Sequence, residues 1–240
     1  MSDKRLRDSG RVKTENAFTL YGVIMKLDMR LRMVAGLIRP GIPLADIGTD
    51  HAYLPVFLVE NDIIPCAVAS DVKVGPLENA KKTIGKSGLS DKVTPVLSDG
   101  LKEIPHDFTD FCIAGMGGEL IASILEASPW VKVPGNHFVF QPQTHAEDLR
   151  KFLYENGYEI LREDVVKDRL RYYLAMEVTY TGNVTEHSEL DCFIGRLPES
   201  TSMHKAKYMQ QIASRLSTRY KATRRDELKK LMDEILEAAK

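Results

Sequence analysis

The chain is poor in the residues that make disulfide frameworks, metal knuckles and membrane spans. Cysteine occurs three times in 240 residues and tryptophan once. Cys66, Cys112 and Cys192 are scattered, with no C-x-x-C and no histidine at ligand spacing, so neither a structural metal nor a disulfide scaffold is expected. No apolar run approaches the roughly 18 residues of a membrane span, and the basic start has no apolar signal region behind it. A soluble cytoplasmic protein is the expectation. Also missing is G-x-G-x-x-G, the glycine pattern that lets a backbone press against a pyrophosphate.

What is present is ordinary globular material, 43% hydrophobic and 28% charged, enough to bury a full core. The net charge of -1 hides an asymmetry. Residues 201–240 carry ten Lys and Arg against five Asp and Glu, whereas residues 1–200 carry 23 against 29. A basic tail follows a mildly acidic body.

The chemistry concentrates in Leu44-Ala-Asp-Ile-Gly-Thr-Asp-His-Ala-Tyr-Leu-Pro55. Ile42, Leu44, Ala45 and Ile47 suit a buried parallel strand, Gly48 permits a sharp turn, and Tyr53 to Asn61 resumes as a helix. Open α/β sheets bind ligands at such strand ends. A phosphate there would meet Asp46 and Asp50. S-adenosylmethionine, with its amino group and sulfonium, would be attracted by the same carboxylates, so a methyl donor fits better than a dinucleotide.

The rest of the chain alternates strand and helix. Phe18 to Ile38 reads as a helix ended by Pro40-Gly41, following a solvated basic arm over residues 1–17. Cys66 to Asp71 reads as a second strand whose terminal Asp71, 23 positions beyond Gly48, is placed to accept from a ribose diol. Lys92 to Leu97 is a third strand, set at or near an edge by Pro95 and closed by Ser98-Asp99-Gly100, where Asp99 could accept from an adenine amino group. Phe108 to Ala114 is a fourth, ending in Gly115-Met-Gly-Gly118, where glycines admit a close neighbour and Met116 suits a flat apolar surface. His137 to Gln141 is a fifth, broken by Pro142. Two strand-like runs, Glu159 to Val166 and Arg171 to Tyr180, close the series. This is the chain order of a class I methyltransferase: a Rossmann-like, mostly parallel seven-stranded α/β sheet with helices on both faces.

Several of these runs together resemble a known family. Ala45-Asp-Ile-Gly-Thr-Asp-His-Ala-Tyr-Leu-Pro55, Ser98-Asp-Gly100, Ala114-Gly-Met-Gly-Gly118 and Gln141-Pro142 before His145-Ala146 resemble the bacterial tRNA adenine-N1 methyltransferases of the TrmK family, over roughly residues 25–180. The resemblance implies methylation of adenosine 22 in the tRNA D-arm with S-adenosyl-L-methionine as cofactor and tRNA as partner. It implies a donor pocket drawn from Arg30, Asp46, Gly48, Thr49, Asp50, His51, Asp71, Asp99, Gly100, Ala114, Gly115, Met116 and Gly117. Departures from the family pattern fall at Asp28, Gln143, Tyr173 and Arg196. A methyltransferase acting on a small molecule or another RNA, and a non-catalytic donor-binding protein, are the alternatives.

Adenine N1 is neutral at pH 7 with its lone pair available, so positioning is the main catalytic task. The methylated base is cationic, which makes Asp28, Gln141 and Gln143 the candidate catalytic groups. N1 lies on the Watson-Crick edge, so the nucleotide must be unpaired or extruded and gripped, for which Tyr53, Met116 and Tyr172 are available. In the third segment, residues 183–240, Ile212 and Leu216, then Leu228, Leu231, Met232 and Ile235, recur at helical spacing. Two helices folded back on each other are expected, a coiled-coil-like domain with Lys221, Arg224 and Arg225 at the turn for RNA phosphates.

Overall fold

The computed structural model describes residues 27–240. The basic arm and the first part of the Phe18–Ile38 helix lie outside the described residues. Within them, α1 spans Met29–Ala35, N-capped by Asp28, whose carboxylate accepts from the Leu31 amide at 2.7 Å. The helix stops at Gly36, before the expected Pro40-Gly41.

Strand β1 (Leu44–Ile47) is buried at every position, which is why it reads as a nearly unbroken apolar run. It pairs in parallel with β2 (Ala67–Asp71) on one side and β4 (Asp110–Gly117) on the other. Between these come α2 (Tyr53–Glu60), α3 (Val74–Lys86) and β3 (Val93–Leu97), then α4 (Gly118–Glu126), β5 (His137–Thr144) and α5 (Ala146–Glu155). The antiparallel strands β6 (Tyr158–Asp168) and β7 (Arg171–Tyr180) complete a seven-stranded sheet of order β3-β2-β1-β4-β5-β7-β6. The chain runs outward from β1 to β3, then returns to β4 on β1's other side. The C-terminal ends of β1 and β4 therefore flank the crevice where open α/β sheets take ligands.

Pro95 lies in β3, an edge strand, as its missing N–H requires. Pro142 does not break β5, which continues to Thr144. The β5–β7 pairing ends at Phe140 opposite Met176, so Pro142 sits where a ladder donor is no longer needed on that side. Opposite it, the β4–β5 register slips around Met116.

Side chains alternate between two cores. Ala45 and Ile47 join Ile121, Leu149 and Phe138 on the face covered by α4 and α5; Leu44 joins Val34, Leu54 and Ala80 on the face covered by α1, α2 and α3. Cys112 and Cys192 are buried free thiols, and Cys66 is half-buried. At the sheet edge away from the crevice, Arg39 donates to Asp110, His137 sits between Asp110 and Glu177, and Arg162 pairs with Glu177. These charges tie the starts of β4 and β5 to the antiparallel pair.

The C-terminal segment forms α6 (Glu189–Ile194), opened by a Ser188 capping box, then α7 (Lys205–Thr223) and α8 (Asp226–Ala238). Helices α7 and α8 pack on each other, with Arg224 in the left-handed region at the turn (φ 54°). Met209, Ile212, Ala213 and Leu216 line one face of α7 at i, i+3, i+4, i+7, and with Leu231 and Ile235 they belong to the same apolar cluster as Phe138 and Tyr158. These helices are thus seated on the sheet's core. A buried ion pair fixes the junction: Arg150 Nε donates to Glu163 Oε1 at 2.8 Å, and Arg150 Nη1 donates to the Cys192 and Phe193 carbonyls at 2.9 Å. Glu163 Oε2 accepts from the Arg196 amide at 2.8 Å. No helix of the described residues is long and apolar enough to cross a membrane.

Candidate active site

The loop after β1 is built on the end of β2. The Gly48 and Thr49 amides donate to the Ser70 carbonyl at 2.9 and 2.8 Å, and the Asp50 amide donates to Asp71 Oδ2 at 3.3 Å. Gly48 adopts φ 75°, and Asp50 and Ala52 follow at 53° and 55°. Two non-glycine residues in the left-handed region within one tight loop mark a backbone held by its surroundings. A Cβ on Gly48 would lie 2.2 Å from Met116 Cε, so Met116 from the β4 end lies directly over this loop.

Across the crevice, Gly115 takes φ 85°, with Arg30 Nη1 3.6 Å from where its Cβ would be. Gly118 has another reason for lacking a side chain: a Cβ there would meet the His145 carbonyl at 2.1 Å, because α4 starts against the β5–α5 turn. The glycine run therefore serves both the crevice and helix packing.

Between these loops lies a cavity of about 350 Å³, in the size range of small-molecule sites. It is lined by Asp46, Gly48, Thr49, Asp50 and His51 from the end of β1 and its loop, by Ala114 and Gly115 of β4, and by Asp28, Arg30 and Gln143. Tyr53 stands at the rim, half-exposed and stacked on the His51 ring (centroids 5.0 Å apart, planes at 8°). Leu31 and Leu54 also line the cavity; ordinary apolar helix residues, they carry no signal in the sequence to mark them.

Asp46 is the electrostatic centre. It is buried, accepts from Thr49 Oγ1 at 2.6 Å, and its carboxyl is pushed up to about 6, first by desolvation and only partly offset by the Thr49 and Cys112 hydrogen bonds and by the Arg30 charge. Cys112 is driven upward by burial and the adjacent carboxylate, which makes its thiol inert. With Asp28 and Asp50 also lining the cavity, these carboxylates suit a cationic group and repel a phosphate.

The remaining predicted residues stand around the cavity. Gln141 is fully buried beneath it and acts through its neighbours: Arg30 Nη1 donates to its Oε1 at 3.0 Å and Gln143 Nε2 at 3.3 Å. Asp71 is nearly buried, its oxygens accepting from the Asp50 and Lys73 amides. Asp99 is exposed and paired with Lys102, while Gly100 (φ 63°) turns the chain beside Ile124. Gly117 caps α4. Tyr172 is not at this cavity, and Lys221, Arg224 and Arg225 are exposed at the α7–α8 turn. Elsewhere, Glu119, His145 and Asp148 bring three ligand atoms within 4.8 Å on exposed side chains.

Strand order and an acid-lined cavity at the β1 and β4 ends define a methyltransferase of the class I fold. A family model described as a methyltransferase domain matches residues 27–176. A Bacillus subtilis (strain 168) protein named tRNA (adenine(22)-N(1))-methyltransferase is 39% identical over 150 residues, 62% of this chain and 63% of that one. The match thus spans slightly less than two thirds of that relative. The crystal structure of the B. subtilis m1A22 tRNA methyltransferase TrmK superposes with a TM-score of 0.76 at 29% identity, covering 90% of this chain and 97% of that one. A Streptococcus pneumoniae protein solved in complex with S-adenosyl-L-methionine gives 0.80 at 30% identity, covering 90% and 100%. The chain belongs to the methyltransferase-domain family and, within it, to the TrmK group.

Proposed function

We propose that this protein transfers a methyl group from S-adenosyl-L-methionine to N1 of an adenosine in tRNA, the adenosine at position 22, and that it does so in the cytoplasm where tRNA resides. The observation that carries the reading is the cavity itself, in which Asp28, Asp46 and Asp50 converge over the glycine turns of β1 and β4. The relative named for this activity and the neighbour solved with the donor support it.

The residues fit the donor by charge. Asp46 and Asp50 would hold its amino acid end, and the open backbone at Gly48 and Gly115 would admit it closely. Asp71 at the β2 tip would accept from the ribose hydroxyls, with Asp99 and Gly100 toward the adenine. When bound, the donor supplies an electrophilic methyl on a sulfonium.

The protein's own task is then to position and to stabilise charge. Adenine N1 needs no base to expose its lone pair, but becomes cationic as the bond to carbon forms. Gln143 and Asp28, which line the same cavity as the β1 loop, would place an amide oxygen and a carboxylate beside that charge. Gln141 is a positioning residue, orienting Gln143 and Arg30 from below. His51 and Tyr53 offer a stacked pair at the rim to exclude water and hold the base. Residues 183–240, with Lys221, Arg224 and Arg225 exposed at the turn, would add phosphate contacts.

The test is incubation with labelled S-adenosyl-L-methionine and tRNA, followed by nucleoside analysis. Label in 1-methyladenosine at position 22 is the expected result; label elsewhere, or none, overturns the reading.

A further inference from the structure

A second cavity, of about 460 Å³, opens beside the first. One side is the β6–β7 hairpin tip, the other is α7, and its floor is Pro142 and Gln143 at the β5 end. Gln143 lines both cavities and is the wall between them.

The two differ in charge. Three carboxylates line the first, whereas none lines the second, which instead presents Arg171 and Arg215. Aromatic surface accompanies the cations, from Tyr172, Tyr173 and Tyr208. The Tyr172 ring is held in place by His204, edge-on at 5.8 Å, and by Lys167 Nζ, 5.7 Å from its centroid. Helix α7 turns two faces to two tasks: Met209, Ile212, Ala213 and Leu216 are buried in the core, while Gln211, Ser214 and Arg215 are exposed along the groove. At the tip, Leu170 is 91% exposed, on a two-residue turn between long paired strands.

We propose that this groove is an RNA subsite. It holds the unpaired nucleotide next to the adenosine that enters the methyl-transfer cavity, with Tyr172 and Tyr173 against its base and Arg171 and Arg215 on the flanking phosphates. The inference rests on the RNA-methylating reading above and adds where the strand runs: from the Gln143 wall between the hairpin tip and α7. Cations with aromatic faces and no carboxylate are the chemistry of single-strand binding. Leu170 serves as an apolar wedge against the neighbouring base step, filling the stack from which the target is drawn. From Arg215 the helix runs six residues to Lys221, roughly 9 Å of rise, so the basic turn lies within one or two nucleotide lengths of the groove's end.

The experiment uses the full chain and a tRNA transcript. Arg171→Gln with Arg215→Gln, and separately Leu170→Ser at the fully exposed tip, are compared with the parent protein for tRNA affinity at several salt concentrations, S-adenosyl-L-methionine affinity by calorimetry, and single-turnover methyl transfer at saturating tRNA. The double variant is expected to bind tRNA about tenfold more weakly, with a salt dependence shallower by about one to two in slope. Donor affinity should stay within about twofold, and the rate at saturation should be largely kept, because these arginines hold RNA and do not touch the reacting atoms. Leu170→Ser should weaken tRNA binding without changing the salt slope. Unchanged tRNA affinity and slope in the double variant, with methylation intact in the parent, overturns the groove and leaves the function standing. Equal losses of donor and tRNA affinity also overturn it, since the effect then lies in the fold. A parent protein that neither binds nor methylates tRNA overturns both.

Discussion

Arg30 of α1 donates through Nη1 to Oε1 of Gln141 in β5 at 3.0 Å, joining two residues 111 positions apart beside the acid-lined cavity. The same Oε1 accepts from Gln143, so one buried amide oxygen sets both the guanidinium and the amide that line the cavity together.

Gln141→Leu should therefore act at a distance from the ligand. Removing the shared acceptor is expected to cost about 1 to 3 kcal/mol of stability and to lower the methyl-transfer rate more than donor affinity. Denaturant titration and single-turnover kinetics measure the two effects; a rate equal to that of the parent would show that Arg30 and Gln143 orient themselves.

Gly48→Val should abolish donor binding, because φ 75° strains any β-branched residue and the new side chain would enter the space of Met116. The two causes separate in the background of Met116→Ala, which relieves the collision but leaves about 1 to 3 kcal/mol of backbone strain. Calorimetry on the single and double variants should show partial recovery. Normal binding by a folded Gly48→Val protein would place the donor elsewhere.

The Asp46 carboxyl, raised to about 6 by burial, makes donor affinity depend on pH. A cation favours the ionised form, so affinity should fall as pH drops through about 6, and Asp46→Asn should flatten the profile. Stability carries the opposite sign. The folded state holds this proton more tightly than the unfolded chain, so between pH 4 and 6 the contribution of Asp46 to stability declines as pH rises, by about 3 kcal/mol in all. Calorimetric titrations from pH 5 to 8, beside thermal melts without donor, test both signs.

Arg150 and Glu163 are buried together, and Arg150 Nη2 has no hydrogen-bond partner among the described residues. Arg150→Met or Glu163→Leu alone leaves one charge unpaired and should cost about 3 to 5 kcal/mol; the double substitution should cost much less. Urea melts of the four proteins form the cycle. Equal and additive costs would mean that the pair is not coupled.

Glutamate at Lys221, Arg224 and Arg225 together should weaken tRNA binding and make its salt dependence shallower, with both helices folded because all three side chains are exposed. Filter binding across salt concentrations reports the slope. A slope equal to the parent's would assign the turn a structural role. Deleting residues 183–240 is the poorer test, since Met209, Ile212, Leu216 and Ile235 share a core with the sheet.

What the sequence by itself determined is local. The apolar run ending in Asp46 and Gly48, the alternation of strand and helix, and Pro95 at an edge follow from side-chain periodicity and backbone restriction, which neighbours in the chain decide. The carboxylate chemistry of the β1 loop was equally legible, because all its groups lie within six residues. Tertiary structure decided whatever depends on distant segments meeting. It kept Pro142 inside β5 by ending the β7 ladder at Phe140, and buried Gln141 as the acceptor of hydrogen bonds from Arg30 and Gln143. It seated the basic tail on the sheet through a face of α7 whose partners lie in α8 and β6, and opened a groove between that helix and a hairpin tip more than 30 residues earlier. No periodicity within one segment records which face another segment will cover, and burial of both together is what settles it.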